Sequence, residues 1–585
     1  MTAVENISAK PGGHTRRAAW RTRPRRWRLL LVGGFLAQVA VRLVLGAWQT
    51  GPVLIPDETG YLLAARLLAG GAVGNLSGRV FYHSGYSLLI SPAYWVTDDP
   101  ATVYRLVIGL NAFLSAALVI PAYLGARRMG LRKIHAWALA QGIALLPGLL
   151  YYTQFALSDA VLPTLVSAWL LAVHTWLRKR DVRFGLAAAG LAAFTYCTHP
   201  RGVVILLVQV VLLLAVPFLN RRMNRRDLGL VGLSLTLCAV LAWNLNLWVR
   251  HALYPAGAAS MGHLLVQRLT SVDGLLWTAS LTAGKIWYLV VSTWGLAGVG
   301  LTAVIVLAVR PGVAMATRAT AGTALTALGG IAVATSAAVP DEGTVANHAY
   351  GRYLVCLAPF FALAGGAALL RAKPLDRVRL TLGPAGFAAV SGAVVAFGSG
   401  DRLRTGFFGP FDFPEICFLT WNWSGLHLWS ATWTALVVLM VAVLASASVP
   451  EPYARRGMIA ALVSLNLAVA GVTTDRVSSY WVRQLTPRVS LRAAGLRPHD
   501  RVAMSYRGMG WRIWVSQAFE VRSGLVPFDR FDRRPPAASI TLIVVPWSLS
   551  RPPTASWPAA QPGWHVVTAL DGGIGGWAAW RRDGT

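Results

Sequence analysis

The stretch LLLVGGFLAQVAVRLVLGAWQTGPVLIPDETGYLLAARLLAGG, residues 29–71, decides how this chain folds. Its first part, 29–49, is apolar but for Gln38, Arg42 and Gln49. A bilayer's hydrocarbon core is about 30 Å thick and takes roughly 20 helical residues to cross. Residues 29–49 therefore predict a transmembrane helix. Such helices usually end in neutral or aromatic residues; this one is followed by an adjacent acidic pair, Asp57 and Glu58. The pattern GYLLAARLLAGG after the pair predicts a short amphipathic helix lying along the interface, too short to span. Two carboxylates at a water–lipid boundary need a partner or a task.

The same apolar pattern recurs along the chain. Of its 585 residues, 55% are hydrophobic and 13% charged, against about 25% charged in soluble domains; the mean hydropathy is +0.53. About thirteen spans are expected, at 29–49, 103–125, 134–153, 157–177, 184–199, 203–219, 228–249, 285–309, 318–339, 353–371, 379–398, 428–447 and 457–473. The fold class is thus a mainly α, polytopic membrane protein. The formal net charge of +31 is not a nucleic-acid footprint, because the basic residues sit in short loops between spans; no nucleic-acid partner is expected. The start HTRRAAWRTRPRRWR resembles the charged head of a signal peptide. The apolar run after it is too long and GAWQTG is a poor cleavage site, so the first span is read as retained. Cys197, Cys238, Cys356 and Cys417 show neither metal-ligand nor disulfide spacing and read as small buried hydrophobes.

Loop charge sets an orientation. ARRMGLRKIH, LRKRDVR, NRRMNRRD, RPGVAMATR, RAKPLDRVR and EPYARR follow even-numbered spans, whereas the loops after odd-numbered spans are long or acidic, as in IPDETGY and PDEGTVANH. The positive-inside rule then puts the N-terminus in the cytoplasm and Asp57, Glu58 and everything after 474 outside. The expected location is the plasma membrane, a bacterial inner membrane. Three parts follow: a basic cytoplasmic tail (1–28), a transmembrane domain (29–473) and an extracytoplasmic domain (474–585). In the last, RVAMSY, SITLIVVPW and WHVVTAL read as short strands between Pro, Gly and Asp turns, a small α/β unit that either caps or shapes a site or serves as a scaffold with no direct role. FFGPFDFPEICFLTWNWSGLHLW reads as an interfacial aromatic belt.

Polar clusters gather at the outer ends of the spans. Asp57 and Glu58 are followed by Tyr61; FYHSGYS supplies Tyr82, His83 and Tyr86; Ser158 and Asp159 lie just inside span four; THPRG supplies His199 and Arg201; NHAYGRY supplies His348, Tyr350, Arg352 and Tyr353. Arg42 falls within span one and Arg105 at the start of span two. Arginines near span ends snorkel and interfacial tyrosines are common, so each has an ordinary reading. Asp159 does not, since an acid within a span costs about 2.5–3.5 kcal/mol unless it is partnered.

If these helices are neighbours, the clusters line one polar pocket at the outer leaflet. Arginine forks beside histidines suit a phosphate, and a phosphate at the lipid boundary suggests a head group whose tail stays in the bilayer. A carboxylate there would serve as general base for a hydroxyl. A second acid or a histidine would hold a divalent cation, Mg or Mn, as an optional cofactor; the candidate ligands are Glu58, His83, Asp159 and His348. The outline is an enzyme that transfers a group from a lipid phosphate. Its rival is a multi-pass transporter or lipid flippase using Asp159 and Arg42 as a path; against it, no internal repeat is visible and the acids sit at the edge of the membrane.

The motifs PDETGYLLAARLLAGG, YHSGYSLLISP, FALSDAVLPTL and YGRYLVCLAPF resemble those of GT-C integral-membrane glycosyltransferases, which include protein mannosyltransferases and lipid A aminoarabinose transferases. The resemblance covers spans one to four well and fades through spans eleven to thirteen. It implies a GT-C-like bundle and an inverting sugar transfer on the outer face, from a polyprenyl-phosphate sugar to a glycan, lipid or protein acceptor, among membrane lipids. It implies that Asp57 is the catalytic base, with Glu58 as an accompanying acid. Arg201 and Arg352 become phosphate binders, and Tyr61, His83, Tyr86, Arg105, Asp159, His199, His348 and Tyr350 line the substrate site. Relatives commonly carry Pro where this chain has Ser84, a departure that loosens the assignment of His83.

Overall fold

A computed structural model describes residues 24–219, 223–572 and 575–585. Most of the basic tail expected at 1–28, and residues 220–222 of the loop NRRMNRRD, lie outside the described residues. Among the described residues, nine helices are long and apolar enough to cross a membrane, and shorter apolar helices, Val182–Thr198, Leu296–Val309 and Ala358–Arg371, pack among them. The chain is a mainly helical, polytopic protein with a small C-terminal sheet.

Several of the expected spans are broken, among them 103–125, which divides into Pro100–Ala116 and Val119–Arg128. The stretch 134–153 divides into Lys133–Ala144 and Pro147–Tyr152, because Pro147 has no N–H to continue the first helix and instead begins the second. The stretch 285–309 is the end of Val272–Val291 joined to Leu296–Val309. Val182–Thr198, by contrast, is one uninterrupted helix.

Helices Leu296–Val309 and Ala358–Arg371 meet backbone to backbone. A Cβ added to Gly300 would stand 1.8 Å from the Phe361 carbonyl oxygen, and one added to Gly365 would stand 2.0 Å from that of Leu296. Small residues allow such approach where no hydrophobic force drives helices together in lipid. This contact fixes the helix that follows Arg352. Gly300→Leu is expected to push the pair apart, costing about 1–3 kcal/mol or more; a thermal-unfolding midpoint equal to wild type would contradict the contact.

The helix Glu451–Thr473 continues through Thr474–Ser479 into Tyr480–Val489 before the sheet begins. The sheet has strands β1 (Val502–Met504), β2 (Val526–Pro527), β3 (Leu542–Trp547), β4 (Trp564–Asp571) and β5 (Gly576–Arg582) in the order β2-β1-β3-β5-β4. β1 is parallel to β2 and β3, while β5 runs antiparallel to β3 and β4. The helix Trp511–Glu520 crosses from β1 to β2 and rests on the helix Asp57–Leu68. Thr59 Oγ1 donates to the Val515 carbonyl (3.3 Å) and Arg66 Nη1 to that of Val521 (2.7 Å). Leu62, Met504 and Val515 share one apolar core. The sheet unit therefore braces the acidic helix directly.

Candidate active site

The acidic pair opens the helix Asp57–Leu68, in the first turn, where unpaired backbone N–H groups favour negative charge. Successive residues on a helix point about 100° apart, and here the two carboxylates diverge. Glu58 is wholly buried. Its Oε2 accepts from the Tyr104 hydroxyl and from the Ala156 N–H, the latter at 2.9 Å, and its Oε1 has no partner among the described residues. Burial pushes the Glu58 carboxyl up to about 8. Its carboxyl is turned inward, on the Tyr104 hydroxyl and the Ala156 N–H, while Asp57 pairs with Arg352.

Asp57 faces the other way, its side chain 28% exposed. Oδ1 accepts from the Tyr82 hydroxyl (3.0 Å), and Oδ2 pairs with Arg352 Nη1 (2.7 Å). Arg352 Nε donates to Asp159 Oδ2 at 2.8 Å, and Asp159 Oδ1 accepts from Arg201 Nη2 at 2.6 Å. Four charges from four separate segments thus form one line: Asp57, Arg352, Asp159, Arg201. Asp159 is fully buried, held in the short 3-10 turn Ser158–Ala160, with an arginine on each oxygen. That supplies the partnership its place in an apolar segment demands.

The arginines differ in role. Arg201, in the tight turn after Val182–Thr198, also donates through Nη1 to the carbonyls of Arg352 (2.9 Å) and Tyr353 (3.3 Å). It ties down the segment that presents Arg352. Arg352 lies over the ring of Tyr152, 5.8 Å from its centroid, and beside Tyr350. Its neighbour Gly351 abuts Tyr288, where an added Cβ would stand 2.1 Å from a ring carbon, so only glycine lets this segment approach so closely.

The other expected site residues spread out. His199 accepts from the Arg201 backbone N–H through Nδ1 (3.0 Å), inside the cluster. His83 packs between Phe81 and Tyr196, its Nδ1 on the Tyr196 carbonyl at 2.6 Å. Tyr61 and Tyr86 are buried and spend their hydroxyls inward, on Ser158 (2.9 Å) and Asn111 (2.8 Å), so they pack behind the site. His348 lies edge-on to Trp277, apart from Asp57. Arg105 lines a cleft away from that line of charges, between Pro100 and the Ser490–Arg492 segment. Arg42 is a buried fixture, donating to Ser115, Gln38 and the Ala144 carbonyl.

Two neighbours escaped the sequence reading. Asp412 sits in the aromatic segment expected to be a belt; burial, offset in part by Arg352, pushes its carboxyl up to about 7. Lys285 lies buried over the ring of Tyr353 (5.2 Å), with Nζ donating to Ser336 Oγ at 2.6 Å. A lysine at the start of an apolar run was the available signal. For a cation, the four expected donors do not gather: Glu58 is turned inward, His83 Nδ1 meets the Tyr196 carbonyl, both Asp159 oxygens carry arginines and His348 packs on Trp277. Among the described residues no three His, Cys, Asp or Glu side chains group together.

No protein-family model and no curated protein matches this sequence. Among solved structures, the fold is similar to that of ArnT from Cupriavidus metallidurans bound to undecaprenyl phosphate, with a TM-score of 0.53, 15% identity, and coverage of 95% of this chain and 98% of that one. The apo state of the same protein gives 0.51, 16%, 94% and 98%. The likeness establishes the fold alone, shared with ArnT over nearly the whole of both chains.

Proposed function

We propose that this chain transfers a sugar from a polyprenyl-phosphate donor to an acceptor hydroxyl, with inversion at the anomeric carbon. The observation that carries the reading is the line Asp57–Arg352–Asp159–Arg201, with a partly exposed carboxylate at one end and a buried anchor behind it. The shared fold with a protein crystallised on undecaprenyl phosphate supports the donor class. Asp57 takes the proton as the acceptor oxygen attacks the anomeric carbon, and the bond from that carbon to the phosphate oxygen breaks. The electron pair leaves with the lipid phosphate. Arg352 uses part of its five-donor fork on Asp57 and Asp159 and offers the rest to the departing phosphate. Arg201 positions Arg352 and does not itself reach the substrate. The donor set gives no step through a metal ion.

The membrane setting completes the proposal: a bacterial plasma membrane, the N-terminus in the cytoplasm, the Asp57 end and the sheet unit outside, and a glycan, lipid or protein as acceptor. Purified protein given synthetic polyprenyl-phosphate sugars should release free polyprenyl phosphate as glycosylated acceptor appears with inverted anomeric configuration. Movement of intact donor across vesicles without cleavage would instead mark a transporter and end the proposal.

Glu58 gives an independent check. Glu58→Gln is expected to keep transfer within a few-fold of wild type, because the native group is already uncharged at pH 7. Its raised carboxyl makes the folded state hold a proton that the unfolded chain releases above about 4.5. The stability from Glu58 is therefore full below about 4.5 and is lost as the pH rises through about 8. Thermal melting of wild type should fall across that window, and the glutamine variant should flatten it. A variant as inactive as one lacking Asp57 would restore Glu58 to the chemistry.

A further inference from the structure

A cavity of about 1110 Å³, its mouth included, opens between the helices Val119–Arg128, Leu162–Lys179, Leu296–Val309, Met315–Ala338 and Ala358–Arg371. Its lining follows the last of these from Pro359 to Arg371, a run of about 18 Å at 1.5 Å per residue. That helix begins next to the Arg352 segment, so the shaft leads away from the Asp57 site toward the opposite end of the bundle. Its walls are apolar, with Leu170, Leu307 and Phe360 among them.

The far end is cationic. Arg128 and Arg371 line it and supply the charge, with His174 beside them. Arg128 Nη1 donates to the Leu171 carbonyl (2.9 Å) and Arg371 Nη1 to the Met129 carbonyl (2.6 Å). Arg128 makes no ion pair among the described residues. Ser167 Oγ, on the wall of the same cavity, is buried and has no hydrogen-bond partner among the described residues. An apolar shaft in a membrane protein loses its dispersion contacts unless something fills it, and what surrounds it is lipid. A guanidinium at its mouth matches a phosphate.

We propose that this shaft binds one acyl chain of an anionic phospholipid, whose phosphate rests on Arg128 and Arg371. The charge selects the head group: a zwitterionic lipid would bring its own ammonium against two arginines. The position selects against the polyprenyl carrier, whose phosphate here would lie a helix length from Asp57. The site is independent of the sugar-transfer reading.

Native mass spectrometry of the purified full-length protein, titrated with phosphatidylglycerol, phosphatidylcholine or polyprenyl phosphate, tests it. Phosphatidylglycerol should be retained about tenfold more tightly than phosphatidylcholine, and Arg128→Gln should lose about that factor. Gly125→Leu provides the second variant. A Cβ there meets only the Leu363 Cδ2 methyl (3.2 Å), so the new side chain extends into the shaft. It should abolish retention while lipid-free melting stays near wild type. Equal retention of the two phospholipids, unchanged binding in Arg128→Gln, or displacement of phosphatidylglycerol by equimolar polyprenyl phosphate would each overturn the proposal.

Discussion

Asp57→Asn is expected to fold as wild type and to lose on the order of 10²–10⁴-fold in kcat, the range set by removal of a general base. The amide keeps the shape of the carboxylate and can still accept from the Tyr82 hydroxyl, while Arg352 keeps its second carboxylate, Asp159. One negative charge is lost beside two buried arginines, so the melting temperature should fall, but by less than when Asp159, which touches both, is removed. Donor binding should also persist, because the groups offered to the lipid phosphate are untouched. The measurement is single-turnover release of polyprenyl phosphate beside donor affinity. Wild-type turnover in the amide variant would remove Asp57 as the base, whatever became of affinity.

Asp159→Ala should lose far more stability than Asp57→Asn, as well as activity. The wild-type carboxylate gives one oxygen to each of two buried guanidiniums. Removing one member of a buried, hydrogen-bonded charge set typically costs about 3–5 kcal/mol, because the remaining charges lose their compensation. Arg352 would also lose the contact that aims its Nη1 at Asp57. The expected result is a large drop in melting temperature, with residual transfer per folded molecule well below wild type. Rescue by Asp159→Glu would be poor, since the buried 3-10 turn leaves no room for an added methylene. A melting temperature within a degree or two of wild type would show that the arginines find other partners and that Asp159 is not their anchor. Together the two variants separate a residue that acts at the reacting atoms from one that acts through Arg352.

The class of fold was legible because it follows from local quantities. Apolar runs of spanning length, a charge deficit and strand-like stretches between turns after residue 500 state a polytopic helical protein with a small sheet. Each of these is a property of a window of sequence. Breaks were harder: 285–309 reads as one apolar run, yet it joins two helices. Strand β5, GWAAWRR, lies outside the three stretches read as strands.

The site residues were legible as types and not as roles. By itself the sequence determined that acids and arginines fall near the ends of separate spans, because hydropathy and charge are additive along a chain. Only the tertiary structure decided that Asp57 and Glu58, adjacent in sequence, part company, one partly exposed and one in the core. It alone decided that Arg201 is a brace, that Asp159 is the anchor between two arginines, and that Arg105 lines a cleft away from them. The physical reason is that a charge's role is set by burial and by partners within about 4 Å, and those partners lie 42, 151 and 193 positions away in the chain.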